Sequence, residues 1–169
     1  MKKMKSLAAL GLLALAACGG DSDRTPTTPV VPTTPITNYS GTYANTQLWL
    51  VAFERASDGW RSQYYCPGTM TLAQGATTGT SATLTGFGVV TAPCPSLTFE
   101  LTGTVNADGT VQFSTDGPRP LGCPSKKATY SGLFTGRQLS ARGSASIDCA
   151  GVTEGTHRFD YVVTAFKNN

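Results

Sequence analysis

The sequence has few of the residues from which catalytic and metal sites are usually built. It contains one histidine, His157, and charged residues make up only 14% of the 169-residue chain. A histidine cluster is therefore excluded, and the chain has no phosphate-cradling loop, acidic calcium loop or G-x-S-x-G nucleophile motif. We predict no cofactor, metal ion or catalytic residue, and an enzyme is the less favoured class.

The chain also lacks an excess of positive charge once its first segment is set aside. The formal net charge is +3, but Lys2, Lys3 and Lys5 lie within residues 1–17, which hold no acidic residue. From Cys18 onward, 10 of the 13 basic residues remain beside all 10 acidic residues. A formally neutral chain gives no electrostatic reason to expect a nucleic-acid partner.

No apolar run is long enough to cross a membrane as a helix. The run from Leu7 to Leu15 falls short of the roughly 20 residues required, but it follows three lysines and precedes Ala16 and Ala17. This order is typical of an export signal. The segment Leu15-Ala16-Ala17-Cys18 resembles the lipobox of bacterial lipoproteins.

The lipobox resemblance implies that residues 1–17 are removed and that Cys18 becomes a lipid-modified N-terminus. Several acyl chains on one residue meet the requirement for stable membrane anchoring. Gly19, in place of aspartate, implies the outer membrane of the cell envelope, facing either the periplasm or the surface. The alternative is an ordinary signal peptide cut near residue 20, with Cys18 incidental.

Residues 18–38 are predicted to form a tether. Prolines recur at every third position, at Pro26, Pro29, Pro32 and Pro35, which is the period of a polyproline II helix. Such a tether is semi-rigid and holds a domain up to about 60 Å from its anchor. Val30, Val31 and Ile36 leave a docking segment open as an alternative.

Residues 39–169 are long enough for one domain, and their pattern predicts an all-β fold. Asp108-Gly109 indicates a hairpin turn, and Phe159, Tyr161 and Val163 alternate along the last strand. Eight antiparallel strands favour an up-and-down barrel, with a β-sandwich as the alternative. The predicted strands are Gly41–Arg55, Gly68–Gln74, Ser81–Val89, Leu97–Val105, Thr110–Thr115, Ala128–Thr135, Gln138–Ile147 and Thr156–Lys167.

Four cysteines remain after Cys18, an even number in an exported chain, which favours disulfides. In a meander all four lie at one end, so we predict the pairs Cys66–Cys94 and Cys123–Cys149. A four-cysteine zinc site is the alternative, although the chain has no C-x2-C pair.

Aromatic residues surround the first predicted hairpin and are the best binding candidates. Trp49, Trp60, Tyr64 and Tyr65 are the predicted ligand-binding residues, since exposed aromatics near a loop often mark recognition. The alternative is that Trp49 and Tyr65 plug the barrel while the others cover its mouth.

The two ends of the domain resemble the lipocalin and avidin group of eight-stranded barrels. Gly41-Thr42-Tyr43 stands where that group has G-x-W, and Arg158 or Lys167 supplies the basic residue that packs there. Tyr43 in place of tryptophan is a departure, and no biotin-site pattern is found. The resemblance implies a barrel and does not by itself imply a function.

Three functions are compatible with these observations. The first is a lipid-anchored barrel that binds a small apolar or amphipathic ligand in its mouth. The second is a structural or interaction lipoprotein, with a filled barrel that presents loops to another envelope protein or polymer. The third, an envelope hydrolase, would require His157 to meet a serine and a carboxylate such as Asp148 or Asp160.

The lipobox assignment predicts that Cys18→Ser prevents lipid modification, because the thiol is the site of acylation. The variant should not incorporate radiolabelled palmitate and should move from the membrane fraction to the soluble periplasm. Ser22→Ala, in the tether, is the control and should change neither property. A wild-type mature chain that is soluble and begins near residue 20 would instead establish the ordinary signal peptide.

Overall fold

A computed structural model of the chain describes residues 35–151 and 154–169. The predicted signal peptide, Cys18 and most of the tether lie outside the described residues. Within them, no helix is long and apolar enough to cross a membrane. The fold is all-β, as predicted, with strands β1 Gly41–Arg55, β2 Arg61–Thr78, β3 Ser81–Val90, β4 Leu97–Asn106, β5 Thr110–Asp116, β6 Lys127–Thr135, β7 Gln138–Cys149 and β8 Gly155–Lys167.

The eight strands form a closed barrel. Each strand pairs with the next in antiparallel register, and β8 closes the sheet by pairing with β1, for example Val51 opposite Tyr161. Closure leaves no free sheet edge, which is the liability that open sheets must protect. The up-and-down barrel is therefore confirmed, and the sandwich alternative is wrong.

The stagger of the strands can be measured by following one lateral row of paired residues around the barrel. After one turn around the barrel the row returns to β2 ten residues from its start, from Gln74 to Tyr64. Such a shear requires tilted strands and sets the width of the interior. In order, the row is Gln74, Leu84, Gly103, Phe113, Tyr130, Gly143, Tyr161, Val51 and Tyr64.

The second strand begins earlier than predicted. It starts at Arg61, not at Gly68, so Cys66 lies within the strand and does not open it. Pro67 is tolerated there because a bulge in β1, between Asn45 and Trp49, interrupts the ladder at that level. Proline lacks a backbone N–H, and bulges are among the few places where a sheet accepts it.

The two ends of the barrel differ. Short connections, 79–80, 107–109 and 136–137, lie at the end where β1 begins and β8 finishes, which we call the short-turn end. The predicted Asp108-Gly109 turn is one of them, with Gly109 at a φ of 84°. The connections 56–60, 91–96 and 117–126, with the described residues 150, 151 and 154 between β7 and β8, lie at the opposite end, the long-loop end.

The residues before β1 close the short-turn end. Tyr39 stacks on Phe134 with 4.1 Å between ring centroids, and its backbone N–H donates to the Gln74 side chain. The Tyr43 hydroxyl donates to the Tyr39 carbonyl at 2.8 Å, and Ile36 packs against the core. Residues 35–40 therefore cover the short-turn end of the barrel before the chain enters β1.

The barrel interior is filled with side chains around Trp49. Its ring meets Phe99, Tyr130 and Tyr161 edge-on, with centroid distances of 5.7, 5.4 and 5.8 Å. Edge-to-face contacts of this kind add to the large apolar area that each ring buries. Buried aromatic rings thus occupy the space that many wider barrels leave for a ligand.

Inward-facing glycines make room for these rings. A Cβ on Gly143 would lie 2.7 Å from Tyr130 Cδ1, and one on Gly88 would lie 2.3 Å from Phe99 Cζ. Such distances are well inside van der Waals contact, and the close packing of the core leaves the rings little room to move away. Each large ring on one strand therefore requires a glycine at the facing position of the neighbouring strand.

Both predicted disulfides are confirmed, and both lie at the long-loop end. Cys66 in β2 is bonded to Cys94 in the β3–β4 loop, and Cys123 in the β5–β6 loop is bonded to Cys149 at the end of β7. Each closes a chain segment of nearly thirty residues and restricts the unfolded chain accordingly.

The basic residue near the start of the first strand is Lys167. It pairs with Tyr43 in the β1–β8 ladder, and its ammonium donates to the Asn38 carbonyl at 3.4 Å. Arg158 lies at the other end of β8 and contacts Asp160. The closed barrel with this contact is consistent with a lipocalin-like fold.

The glycine packing predicts that Gly143→Ala destabilises the barrel by about 1–3 kcal/mol, since the added methyl overlaps the Tyr130 ring and the Thr129 carbonyl. Urea unfolding followed by tryptophan fluorescence measures the change. Ser144→Ala, next in sequence and exposed, is the matched control and should stay within about 0.5 kcal/mol of wild type. Equal stability of the two variants would contradict the packing argument.

Candidate functional site

The four predicted binding aromatics do not converge on one site. Trp49 lies in the core, and Tyr64 faces the interior from β2 at the long-loop end. Tyr65, next in the strand, faces outward with 46% of its surface exposed. Trp60 is 47% exposed in the β1–β2 loop, where its ring meets Phe53 edge-on at 5.5 Å.

Two ladders stop short of the long-loop end. The β4–β5 pairing finishes at Thr102 and Ser114, although β4 continues to Leu97. The β6–β7 pairing finishes at Tyr130 and Gly143, although β7 continues to Cys149 and β6 to residue 127. The barrel wall therefore separates on both sides of the β5–β6 hairpin tip.

The β5–β6 loop, residues 117–126, lies at this separation and is held on its β7 side. The Cys123–Cys149 disulfide joins it to β7, and the Ala150 N–H donates to the Gly122 carbonyl at 2.8 Å. Lys126 adds a hydrogen bond to the Ser146 carbonyl. On the β4 side, next to the loop, the Thr115 hydroxyl donates a hydrogen bond to the Glu100 carbonyl at 2.7 Å.

Two clefts flank the β5–β6 loop. One, of about 230 Å³, is lined by Tyr64, Tyr65, Pro93, Cys94, Pro95 and Pro120. The other, of about 210 Å³, is lined by Pro95, Ser96, Leu97, Arg119, Pro120, Leu121, Gly122 and Cys123. The clefts share Pro95 and Pro120, and each has one polar side chain of interest, Tyr64 in the first and Arg119 in the second.

A group of buried polar side chains lies next to these clefts, and the sequence did not indicate it. The hydroxyls of Tyr64, Tyr130 and Tyr161 and one carboxylate oxygen of Asp116 are buried without a hydrogen-bond partner among the described residues. We call these residues, together with Arg119, the tyrosine cluster. The register explains the grouping, because Tyr130, Tyr161 and Tyr64 occupy the same lateral row on β6, β8 and β2.

The tyrosine hydroxyls are held in their neutral form. Burial raises the pKa of Tyr64 to about 12, with the positive charge of Arg119 opposing the effect. Burial also raises the pKa of Tyr130, assisted by Tyr161 and Asp116, and that of Tyr161, assisted by Tyr64 and Asp116. These mutual effects place the side chains within electrostatic range of one another.

Arg119 carries the positive charge of the cluster on the β5–β6 loop. Its guanidinium is half-buried and donates to the carbonyls of Cys123 at 3.0 Å and Gly117 at 3.3 Å. Gly117 packs directly over the Tyr161 ring, where a Cβ would lie 2.4 Å from Cε1. The loop is thus fitted closely to the cluster beneath it.

His157 does not meet a carboxylate. It faces inward among aromatic rings, and its Nδ1 is 2.9 Å from the Gly155 carbonyl, while Nε2 has no partner among the described residues. Asp160 faces outward beside Arg158, and Asp148 accepts a hydrogen bond from Thr156. The arrangement needed for a Ser-His-Asp mechanism is not assembled around this histidine.

A groove also crosses the outer face of β8, β1 and β2. It has a volume of about 530 Å³ and is lined by Ala52, Phe53, Glu54, Arg61, Ser62, Gln63, Arg158 and Asp160. Its charges are paired, with Arg61 2.8 Å from Glu54 and Arg158 3.3 Å from Asp160. Because these ion pairs are exposed, they contribute little to stability.

No group of three or more histidine, cysteine or acidic residues that could hold a metal ion occurs in residues 35–151 and 154–169. The four cysteines considered for zinc are consumed by the two disulfides. The zinc alternative is therefore wrong.

The fold and these features define a small, closed, eight-stranded antiparallel barrel with a filled interior and a disulfide-bonded long-loop end. No protein-family model, curated protein sequence or solved structure matches the chain.

The buried tyrosines predict a loss of stability at alkaline pH. A neutral hydroxyl with a raised pKa stabilises the fold fully below the unfolded value near 10, and this contribution is lost as the pH rises toward 12. Urea unfolding at a series of pH values should show a steep decline between about pH 10 and 12.

Tyr64→Phe should make this decline shallower, with stability at pH 7 unchanged or higher because an unpaired buried hydroxyl is removed. Tyr65→Phe, which changes an exposed neighbour, is the matched control. An equally steep decline in Tyr64→Phe and wild type would contradict the assignment of Tyr64 as a buried neutral hydroxyl.

Proposed function

We propose that the protein is an envelope lipoprotein whose barrel is an interaction module and binds another envelope protein through its long-loop end. The observation that supports this proposal is the filled interior, together with the exposed apolar side chains at the long-loop end. Cys18 would anchor the chain, and residues 18–38 would hold the barrel away from the membrane.

The filled interior weighs against an apolar ligand. A ligand in the centre of the barrel would have to displace Trp49 and the rings of Phe99, Tyr130 and Tyr161 that surround it. Removing close-packed aromatic side chains costs several kcal/mol of stability. A binding function based on the outer surface requires no such rearrangement.

The long-loop end offers a surface of suitable composition. Leu121 is 85% exposed in the β5–β6 loop, Tyr65 is 46% exposed and lines a cleft with Pro120 of that loop, and Trp60 is 47% exposed in the β1–β2 loop. Tyrosine, tryptophan and arginine are the residues most enriched in the energetic centres of protein interfaces. Disulfides hold two of the loops in place, which lowers the entropy cost of docking.

The orientation of the chain is compatible with this role. The described residues 35–40 lie at the short-turn end, where β1 begins, so the tether reaches the barrel at that end. The long-loop end is then the part of the barrel most distant from its point of attachment.

The test is site-specific photo-crosslinking of the full-length protein in its own cells. A benzoyl-phenylalanine replaces Tyr65 at the long-loop end or, as a matched control, Phe166 near the short-turn end; the two side chains are 46% and 47% exposed. We expect a discrete crosslinked band of defined mass from position 65 and none from position 166.

Three results would contradict the proposal. Equal crosslinking at both positions would show that the long-loop end is not special. A heterogeneous smear from position 65 would identify a polymer as the partner. A small apolar molecule that copurifies and is seen by native mass spectrometry, with no crosslinked band, would support the ligand-binding barrel.

A further inference from the structure

We propose that the tyrosine cluster is a binding site for a small neutral polyhydroxylated molecule of the sugar or polyol class. The ligand reaches the cluster through the clefts beside the β5–β6 loop. Tyr64 lines one cleft and Arg119 the other, and Tyr130 and Tyr161 share the lateral row of Tyr64 inside the barrel. Two cleft residues, Tyr65 and Leu121, also belong to the proposed protein-binding surface, but the cluster lies inside the barrel and the proposal does not depend on that surface.

The first argument is the number of polar atoms that remain without partners. Three tyrosine hydroxyls and one Asp116 oxygen are buried and unpaired among the described residues, and Tyr130 and Tyr161 are almost completely inaccessible. Each such group destabilises the fold, because it has lost its hydrogen bonds to water, and native proteins hold few of them. Several in one place indicate a site that is completed by a bound group.

The second argument is that these atoms belong to one place. Tyr130, Tyr161 and Tyr64 share a lateral row of the barrel, and all three face inward. The charge of Asp116 acts on both Tyr130 and Tyr161, and that of Arg119 acts on both Tyr64 and Tyr161. A ligand placed among them can bond to several at once.

The third argument concerns the charge of the ligand. Asp116 is negative and Arg119 is positive, so the site as a whole is formally neutral. An anion attracted by Arg119 would be repelled by Asp116, and a cation attracted by Asp116 would be repelled by Arg119, so the site favours neither charge. An apolar ligand would leave the hydroxyls unpaired, which is the cost that a bound group should remove.

The donors and acceptors of the tyrosine cluster then indicate which kind of neutral ligand fits. The tyrosine hydroxyls both donate and accept, the Asp116 oxygen only accepts, and the guanidinium only donates. Hydroxyl groups, which also donate and accept, can match all of them. The tyrosine rings and the prolines of the clefts provide apolar surfaces for the carbon–hydrogen faces of a sugar ring.

The test uses the exported full-length protein, purified in a polyoxyethylene detergent because many other mild detergents carry sugars. The protein has two tryptophans, and Trp60→Phe leaves Trp49, which contacts Tyr130 and Tyr161, as the single fluorescent reporter. The probes are glucose and N-acetylglucosamine as neutral ligands, glucuronate as an anion and palmitate as an apolar ligand.

We expect a saturable change in Trp49 fluorescence and a concentration-dependent rise in Tm with a neutral probe, and none with glucuronate or palmitate. Tyr64→Phe and Tyr161→Phe should each weaken the affinity about tenfold or more while the barrel stays folded. Tyr39→Phe, whose ring packs on Phe134 at the short-turn end, should leave the affinity unchanged.

Several results would overturn the proposal. No response to either neutral probe up to about 100 mM would mean that the cluster holds water only, since that concentration saturates even a millimolar site. A response to glucuronate or palmitate alone would refute the neutral class. Binding that survives both Tyr64→Phe and Tyr161→Phe would place the ligand elsewhere. Crosslinking at position 65 tests the protein-binding surface separately, so either proposal can fail alone.

Discussion

The close packing of inward aromatic rings against inward glycines is the interaction on which the rest of this structure depends. The Tyr130 ring fits only because Gly143 has no side chain, and the Phe99 ring fits only because Gly88 has none. A Cβ at either glycine would overlap a ring. A barrel with this shear has an interior of nearly fixed width, so its contents must alternate between large and absent side chains. Trp49 takes the centre, where three rings meet it edge-on.

Because the interior is filled, the binding functions proposed above are placed at the end where the wall separates. Two ladders finish early there, and the β5–β6 loop is held across the separation by the Cys123–Cys149 disulfide and backbone hydrogen bonds. The outer surface of this end carries exposed apolar side chains, while its inner surface carries the tyrosine cluster. The first feature suits a protein partner, and the second suits a small polar molecule.

Much of the fold could be predicted from local patterns, but the candidate site could not. Alternation along β8 and the Asp-Gly turn identified strands and hairpins, and an even set of cysteines at one end of a meander identified both disulfides. The start of β2 was missed because Pro67 reads as a strand terminator unless the bulge in β1 is known. Tyr130 and Tyr161 read as ordinary core residues, since nothing local shows that their hydroxyls stay unpaired.

The amino-acid sequence by itself determined the strand pattern, the all-β class and the disulfide pairing, because these depend on side-chain period, turn chemistry and the order of the cysteines. Only the tertiary structure decided that the interior is filled, that Tyr64 faces inward while Tyr65 faces outward, and that Asp116 and Arg119 join three tyrosines. The reason is the stagger of the closed sheet, which brings residues from β2, β6 and β8 into one row. This register is set by closure of the whole barrel, so it cannot be read from the sequence of any single strand.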